Sequence, residues 1–429
     1  MSRDAVEMQP VAGDLDGTIR PPGSKSITNR ALLIAAVANG QSCLRGALES
    51  DDTRVMIESL TRLGIVVNQD AELNCLTVTG AGGRFPRTSA ELFVENSGTT
   101  IRFLTAALAV TGGSYRLDGV SRMRERPIGP LVDSLAALGA NIVAESPGQC
   151  PPIRIDSARL AGGHVKIRGE LSSQYVSGLL MAAPLAENAM SIEIEGQLIS
   201  RPYLRMTMEL MRSFGVECCS YDASNRFEIS ALQKYQGRDY QIEPDASAAS
   251  YFWAAAAICG GRATVRGLNQ QSIQGDVGFT RCLQAMGCEL ISDPDSITIV
   301  GPAKRGIVVD MSDVSDTVQT LAAVALFVSG TTTIRNVAHN RIKETDRIGN
   351  LAIELRKFGA PVEEFDDGLT ITPGSLTGAT IETYHDHRMA MSLALVGLRV
   401  PGVSILNPDC VAKTFPDYFA ALEKFCRPE

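Results

Sequence analysis

The chain contains, at residues 23–40, the stretch GSKSITNRALLIAAVANG. Its first part is polar and includes Lys25 and Arg30, whereas its last ten residues are almost entirely apolar. A helix that is apolar on every face belongs in a protein core, so the pattern predicts a buried helix that ends at Gly40. The two cations lie near the helix start, where the helix dipole is already positive. They therefore predict an anionic ligand close by.

The same pattern of a polar start and an apolar, Ala-rich continuation recurs at intervals of about 70 residues. The predicted buried helices end near Gly40, Gly112, Asn188, Gly260, Gly330 and Gly402. Amphipathic segments lie between them and end at TRLG, AALG, RSFG, QAMG and RKFG, with short β-rich segments around them. We therefore interpret the chain as six repeats, each combining a buried helix, an amphipathic helix and strands.

Six repeats in 429 residues predict two α/β domains of three repeats each, because single hydrophobic cores stop growing at about 300 residues. The break is expected near residues 240–244, so that residues 25–242 form the N-terminal domain. Residues 1–24 together with 243–429 then form the C-terminal domain. The segment VAGDLDGTIR, residues 11–20, is expected to supply a strand to that far domain. We expect the buried helices to be enclosed by the sheets.

The composition limits the possible partners and locations. The net charge of −8 argues against a general nucleic-acid binder, which would present a basic surface. The N-terminus lacks a signal-peptide pattern, and the apolar runs are too short to span a membrane, so a cytoplasmic protein without membrane association is expected. The ten cysteines form no CxxC pair and are expected to be reduced. We expect a monomer.

The starts of the predicted buried helices share one chemistry. They read GSKSITNR, ENSGTTIR, ELSSQYVSG, EPDASAAS, SDVSDTVQT and YHDHRMA. Ser, Thr, Asn and Asp are helix caps; this role suits Asp386 and is favoured for Asp245, which could also help to line the cleft. Arg102 and Arg388, however, are cations that no cap requires, and RMRERP, RIKETDR and AKTFPDYF add further charge. These starts together predict a pocket for a highly anionic ligand.

The chain carries a series of motifs that, in their order and spacing, resemble the 5-enolpyruvylshikimate-3-phosphate synthase family of enolpyruvyl transferases. They are PGSKSITNRALL, NSGTTIRFL, RMRERPIGPLVDSL, ELSSQY, SRPY, RIKETDRI, DHRMAM and AKTFPDYF. The resemblance spans nearly the whole chain. It implies two similar domains, each of three βαβαββ repeats that form an inside-out α/β barrel with buried helices. The domains are expected to close over an active site in the interdomain cleft.

The resemblance implies a 3-phosphoshikimate 1-carboxyvinyltransferase of the shikimate pathway of aromatic amino acid biosynthesis. This enzyme transfers the enolpyruvyl group of phosphoenolpyruvate to the 5-hydroxyl of shikimate 3-phosphate and releases phosphate through a tetrahedral intermediate. The expected partners are these two small molecules, and no cofactor or metal is implied. The two phosphates and two carboxylates of the substrates would account for the cations at the helix starts.

The resemblance also assigns expected roles to individual residues. The expected catalytic residues are Lys25, Asp316 and Glu344. The residues expected to bind shikimate 3-phosphate are Lys25, Ser26, Arg30, Ser172, Ser173, Gln174, Ser200, Tyr203, Asp316, His339 and Lys343. The residues expected to bind phosphoenolpyruvate are Lys25, Gly98, Arg126, Gln174, Arg347, Arg388 and Lys413.

The chain departs from the family pattern at two positions. His339 stands where many members have Asn, with Asn340 beside it, and either residue could contact the substrate. Phe103 stands where a proline is common and could shift its helix. Glyphosate competes for the phosphoenolpyruvate site in this family, and Gly98 leaves the space that it requires, so inhibition by glyphosate is expected.

Three other functions fit the sequence less well. The sister enzyme UDP-N-acetylglucosamine 1-carboxyvinyltransferase shares the repeats, but it is expected to have Lys-Asn in place of Lys25-Ser26 and a cysteine in the loop that here reads RMRERP. A non-catalytic repeat scaffold would scatter its binding residues over one outer face. A metal enzyme built on His385, Asp386 and His387 would need a second ligand cluster, and the chain has four histidines.

Overall fold

A computed structural model of the chain describes residues 4–70, 75–221, 225–231 and 233–427. The chain divides into two compact units. The N-terminal unit is Gly23–Ile242, and the C-terminal unit combines Met1–Pro22 with Glu243–Glu429. Within the described ranges, no helix is both long enough and apolar enough to cross a bilayer.

The core of the N-terminal unit contains helices that are buried on all sides over most of their length. They are α1 (Lys25–Val37), α3 (Gly98–Thr111) and α5 (Ser173–Ala182). Each is followed along the chain by a helix with one exposed face: α2 (Asp51–Arg62), α4 (Gly129–Ala137) and α6 (Arg201–Ser213). Small residues such as Ala106 and Gly178 let α3 and α5 pack closely. The predicted alternation of buried and amphipathic helices is thus present.

The strands of this unit form four-stranded sheets. They are β3 (Gln41–Arg45), β4 (Val66–Asp70), β5 (Cys75–Thr79), β6 (Ser89–Phe93), β7 (Gly113–Asp118), β8 (Ile142–Ser146), β9 (Cys150–Ser157), β10 (Gly163–Arg168), β11 (Met190–Glu195), β12 (Cys219–Tyr221), β13 (Arg226–Ile229) and β14 (Asp239–Gln241).

The sheets of the N-terminal unit share one topology. Their strand orders are β14-β3-β5-β4, β6-β7-β9-β8 and β10-β11-β13-β12. In each sheet the first pair is parallel and the other pairs are antiparallel. In the second and third sheets the parallel pair brackets a buried helix along the chain, which gives the βαβαββ order of a repeat. Because β14 ends the unit and pairs with β3, the last strand completes the first repeat.

The C-terminal unit repeats this plan with α7 (Ala246–Cys259), α9 (Val318–Ala325) and α11 (His387–Ala394) as its buried helices. Its other helices are α8 (Phe279–Ala285), α10 (Gly349–Lys357) and α12 (Tyr418–Cys426). Its strands are β1 (Ala5–Glu7), β2 (Leu15–Ile19), β15 (Gly261–Arg266), β16 (Glu289–Asp293), β17 (Ser296–Gly301), β18 (Val308–Asp310), β19 (Thr332–Arg335), β20 (Val362–Phe365), β21 (Gly368–Ile371), β22 (Thr380–Ile381) and β23 (Ser404–Leu406).

The sheets of the C-terminal unit have the orders β16-β17-β15-β2, β18-β19-β21-β20 and β1-β23-β22. Strand β2 pairs in parallel with β15, with Gly17 opposite Ala263. The prediction that residues 11–20 supply a strand to the far part of the chain is therefore confirmed. The last sheet differs because its antiparallel strand is β1, from the start of the chain.

Two kinds of local prediction are wrong. Helix α5 ends at Ala182 and continues as a 3-10 turn that contains Pro184, so Asn188 does not end it. Helices α9 and α11 likewise end at Ala325 and Ala394, short of Gly330 and Gly402. Cys43 and Cys75 form a disulfide, although all the cysteines were expected to be reduced. Their strands β3 and β5 are antiparallel neighbours, and Cys43 lies opposite Thr77, two residues from Cys75. This pairing brings two thiols together that lie 32 residues apart in the chain.

Candidate active site

The start of α1 places Lys25 against the first turn of α2. The Ser24 side chain caps α1 by accepting a hydrogen bond from the Ile27 amide. Lys25 Nζ lies 3.6 Å from Asp52 Oδ2, and both side chains are largely buried. Asp52 lies in the first turn of α2, where a negative charge stabilises the helix, and the ion pair shows that it also holds the lysine.

Arg30 is a buried cation held by hydroxyl groups and aromatic rings. Its Nε donates to Thr207 Oγ1 at 2.8 Å, its Nη2 to Ser177 Oγ at 3.2 Å, and its Nη1 to the Ser26 carbonyl at 3.0 Å. Its guanidinium lies 5.0 Å from the ring centre of Phe103 and 5.9 Å from that of Tyr203. Burial lowers its pKa to about 10, so Arg30 stays charged at neutral pH and retains affinity for anions.

The start of α3 gathers two further guanidinium groups around Gly98. A Cβ atom on Gly98 would lie 2.5 Å from Arg102 Nη1 and 2.6 Å from Arg126 Nη2. Arg126 donates to the Asn96 carbonyl and side-chain oxygens at 3.1 and 3.0 Å. Arg102 donates to Gln174 Oε1 at 2.8 Å. The absent side chain of Gly98 thus lets two cations approach a helix N-terminus, which is an arrangement suited to phosphate or carboxylate.

The remaining predicted residues of the N-terminal unit lie at the starts of α5 and α6. Ser172 caps α5 and accepts from the Gln174 amide, and Ser173 is buried beside it. Ser200 precedes α6 in a left-handed conformation with φ of 52°, and Tyr203 follows one turn later with its ring near Arg30. Hydroxyls at helix starts are suitable donors to a phosphate.

In the C-terminal unit, Arg347 connects three carboxylates. Its Nε and Nη2 donate to the two oxygens of Asp386 at 2.7 and 3.1 Å. Nη2 also lies 2.8 Å from Glu344 Oε2, and Nη1 lies 3.4 Å from Asp316 Oδ1. Burial alone would lower the pKa of Arg347, but the charges of Asp386, Glu344 and Asp316 raise it above its ordinary value. The expected catalytic pair, Asp316 and Glu344, is therefore anchored by one permanently charged group.

Three more cations surround this carboxylate pair. Arg388 Nη2 lies 2.7 Å from Asp316 Oδ2, and Lys343 Nζ lies 4.0 Å from Asp316 Oδ1. Lys413 Nζ lies 4.0 Å from Glu344 Oε1. All the residues predicted in this half of the chain thus meet around Asp316 and Glu344, apart from His339.

His339 and Asn340 have different roles. The Asn340 side chain is fully buried and donates to the Ser315 carbonyl at 2.9 Å, so it holds the segment before Asp316. Burial lowers the pKa of His339 to about 3, with the cations Lys343 and Arg347 acting in the same direction and Asp316 opposing them. His339 is therefore neutral, and its Nε2 is buried without a hydrogen-bond partner. Asn340 Oδ1 is likewise buried without a hydrogen-bond partner, so each of the two side chains keeps one polar atom for a ligand.

The cap predictions for Asp245 and Asp386 are confirmed. Asp245 accepts from the Ala248 amide at 2.8 Å, and Asp386 accepts from the Arg388 amide at 2.9 Å. Asp386 also accepts two hydrogen bonds from Arg347, a contact that was not predicted from the sequence. The position of Asp386 in the same motif as Arg388 was the signal that could have indicated a role in the site. In the described part of the chain, no group of three His, Cys, Asp or Glu side chains is arranged to hold a metal.

The sequence and fold match known proteins over nearly their full length. A profile of EPSP synthase (3-phosphoshikimate 1-carboxyvinyltransferase) matches residues 11–422. This chain belongs to the EPSP synthase family. A 3-phosphoshikimate 1-carboxyvinyltransferase of Nostoc punctiforme is 48% identical, with 97% of this chain and 98% of that protein covered. The chloroplastic enzyme of Arabidopsis thaliana is 46% identical, with 98% of this chain and 84% of that protein covered.

The fold agrees with this family. An EPSP synthase structure from Acinetobacter baumannii superposes with a TM-score of 0.81 at 25% identity, and the match covers 98% of this chain and 97% of that one. The predicted fold class is therefore confirmed. The EPSP synthase profile does not favour the sister enzyme that acts on UDP-N-acetylglucosamine.

Proposed function

We propose that this protein is a 3-phosphoshikimate 1-carboxyvinyltransferase of the shikimate pathway. It transfers the enolpyruvyl group of phosphoenolpyruvate to the 5-hydroxyl of shikimate 3-phosphate and releases phosphate. The observation that carries the proposal is the anchoring of two carboxylates, Asp316 and Glu344, by the single guanidinium of Arg347 at 3.4 and 2.8 Å. An addition–elimination needs two proton-transfer groups held close together, and this cluster supplies them. Family membership supports the substrates.

In the proposed addition step, the 5-hydroxyl oxygen bonds to C2 of phosphoenolpyruvate while its proton passes to Asp316. Glu344 gives a proton to the methylene carbon, which becomes a methyl group, and the tetrahedral intermediate forms. Arg388 lies 2.7 Å from Asp316, so the carboxylate is held in one orientation for the proton that it receives. Glu344 lies within 4.0 Å of the Lys413 ammonium, which favours its anionic form after the proton has left.

In the elimination step, Glu344 removes a proton from the methyl group, the bond from C2 to the phosphate oxygen breaks, and the double bond re-forms. The proton taken by Asp316 leaves with the phosphate, so both carboxyl groups return to their starting states. We propose that Gly98, Arg126, Arg347, Arg388 and Lys413 contribute to binding the phosphoenolpyruvate anion. The guanidinium fork can grip a phosphate or carboxylate with two parallel hydrogen bonds.

Shikimate 3-phosphate is proposed to bind to the hydroxyls and cations of the other predicted set. Ser172, Ser173 and Ser200 would donate to its phosphate, and Arg30 would bind its carboxylate from the aromatic cradle of Phe103 and Tyr203. Lys25 is proposed to contact both substrates. The chemistry requires both sets of residues to reach the same substrate pair. We propose that the two units act as domains for this purpose.

The test is phosphate release from phosphoenolpyruvate in the presence of shikimate 3-phosphate, with UDP-N-acetylglucosamine as the control acceptor. Release that depends on shikimate 3-phosphate is expected, and it should be insensitive to a metal chelator. Release with UDP-N-acetylglucosamine alone, or none with either acceptor, would contradict the proposal. A cytoplasmic location and a monomeric state also belong to the proposal, and light scattering coupled to gel filtration measures the second.

A further inference from the structure

Asp276 is a buried carboxyl group that the proposed mechanism does not use. It lies in a 3-10 helix, Gly275–Gly278, immediately before α8, and its side chain is 4% exposed. The Ser247 hydroxyl in the first turn of α7 donates a hydrogen bond to its Oδ2. A buried carboxylate is costly unless neighbouring groups favour it, so its position calls for a physical explanation.

The groups that act on Asp276 include residues of the candidate active site. Asp316 acts from the 3-10 helix Ser312–Thr317, Arg388 from the start of α11, and Asp245 from the cap of α7. Burial raises the pKa of Asp276 to about 6, and the negative charge of Asp316 adds to the rise, whereas Ser247 and Arg388 oppose it. The 3-10 helix that carries Asp276 packs against the 3-10 helix that carries Asp316, and Arg388 lies 2.7 Å from Asp316.

The backbone that carries Asp276 is fixed to the start of α7. The buried Gln274 side chain accepts from the Ala246 amide at 3.0 Å and donates to the Pro244 carbonyl at 2.7 Å. It also donates to Glu243 at 3.0 Å. These bonds prevent the 3-10 helix from moving its carboxyl group away from Ser247. Asp276 is therefore held in place beside the 3-10 helix that carries Asp316.

We infer that Asp276 is a positioning residue for the proposed reaction, which acts by sharing Arg388 with Asp316 and with the bound phosphoenolpyruvate. When Asp276 is charged, it weakens the positive field that Arg388 offers to the substrate. Its negative charge also disfavours the charged form of Asp316, so Asp316 becomes a stronger base. When Asp276 is protonated, Arg388 binds both Asp316 and phosphoenolpyruvate more tightly. The inference rests on the proposed function, since it assigns Arg388 to phosphoenolpyruvate.

The experiment compares D276N with the parent protein from pH 5 to pH 9. The amide keeps the size of the carboxyl group and can still accept from Ser247, so the variant imitates protonated Asp276 at every pH. At pH 8 we expect KM for phosphoenolpyruvate to fall about fivefold and kcat to fall severalfold, which corresponds to somewhat less than one pKa unit of interaction. Below about pH 5.5, both ratios of variant to parent should approach one, because the parent is then also neutral at this position.

The ratio of variant to parent removes the titration of the substrate itself, which is common to both proteins. The matched control is D313N, which removes an exposed carboxylate from the same 3-10 helix as Asp316. Its ratios should stay near one at all pH values because water screens its charge. A ratio for D276N that is the same at every pH would indicate a purely structural role and would overturn the inference.

S247A provides a second test that keeps the carboxyl group. Loss of the serine hydrogen bond should raise the pKa of Asp276, because that bond favours the charged form. The kinetic ratios for S247A should then depart from one just above pH 6 and return to one at pH 9, and a flat profile would contradict the inference. If the parent itself released no phosphate with shikimate 3-phosphate, the proposed function would fail instead, so the two failures are distinguishable.

Discussion

Neutralising Asp386 tests how the buried guanidinium of Arg347 is held. Asp386 has no exposed surface and accepts from Arg347 Nε and Nη2 at 2.7 and 3.1 Å. It also caps α11 by accepting from the Arg388 amide at 2.9 Å. The substitution Asp386→Asn keeps the volume and an oxygen for the cap, so the change is confined to the negative charge and its bonds to Arg347.

The expected loss follows from the remaining partners of Arg347. Removing one partner of a buried ion pair costs about 3–5 kcal/mol, because a charge is left without compensation. Arg347 keeps its ion pairs with Glu344 at 2.8 Å and Asp316 at 3.4 Å, so its positive charge remains partly compensated. We therefore expect D386N to lower the free energy of unfolding by about 2–3 kcal/mol, which is less than the loss for a buried charge that has no remaining partner.

Urea unfolding at pH 7 measures this loss through fluorescence. The chain has one tryptophan, Trp253, which is fully buried in α7 and so reports on the unit that contains Asp386. The control is E364Q in the same unit, which breaks a partly exposed ion pair with Arg341 at 2.9 Å and should cost less than about 1 kcal/mol. The reasoning is refuted if D386N unfolds within about 0.5 kcal/mol of the parent or no earlier than E364Q.

Three further predictions concern the reaction. E344Q should lower kcat at least about 100-fold while KM for each substrate changes little, because a proton-transfer group is lost and the cations remain; unchanged turnover in the phosphate-release assay would remove Glu344 from the chemistry. G98A should raise KM for phosphoenolpyruvate about tenfold or more, since the new methyl would meet Arg102 and Arg126 at 2.5 and 2.6 Å; an unaltered KM would show that both guanidinium groups can retreat freely. Glyphosate at millimolar concentration should inhibit in competition with phosphoenolpyruvate despite Phe103, and an unaffected rate would contradict this.

Local patterns in the sequence were sufficient for the repeats, the buried helices and the helix caps, whereas the individual candidate site residues were assigned from the family resemblance. Helical periodicity, caps and apolar runs are properties of neighbouring residues, so the buried helices and the order of elements could be predicted. Asp245 and Asp386 act as caps because a short acidic side chain before a helix has one nearby donor to satisfy. The strand at residues 11–20 could be assigned to the far part of the chain because its own repeat left it without a partner.

Only the tertiary structure decided which distant side chains share a partner. Arg347 and Asp386 lie 39 positions apart, and Asp316 and Arg388 lie 72 apart, so no local pattern pairs them. The same holds for Cys43 with Cys75 and for the 3-10 helix of Asp276 packed against that of Asp316. Sequence periodicity determines which face of an element is buried, whereas the choice among several possible partners for a charge depends on distances that exist only after the repeats have packed.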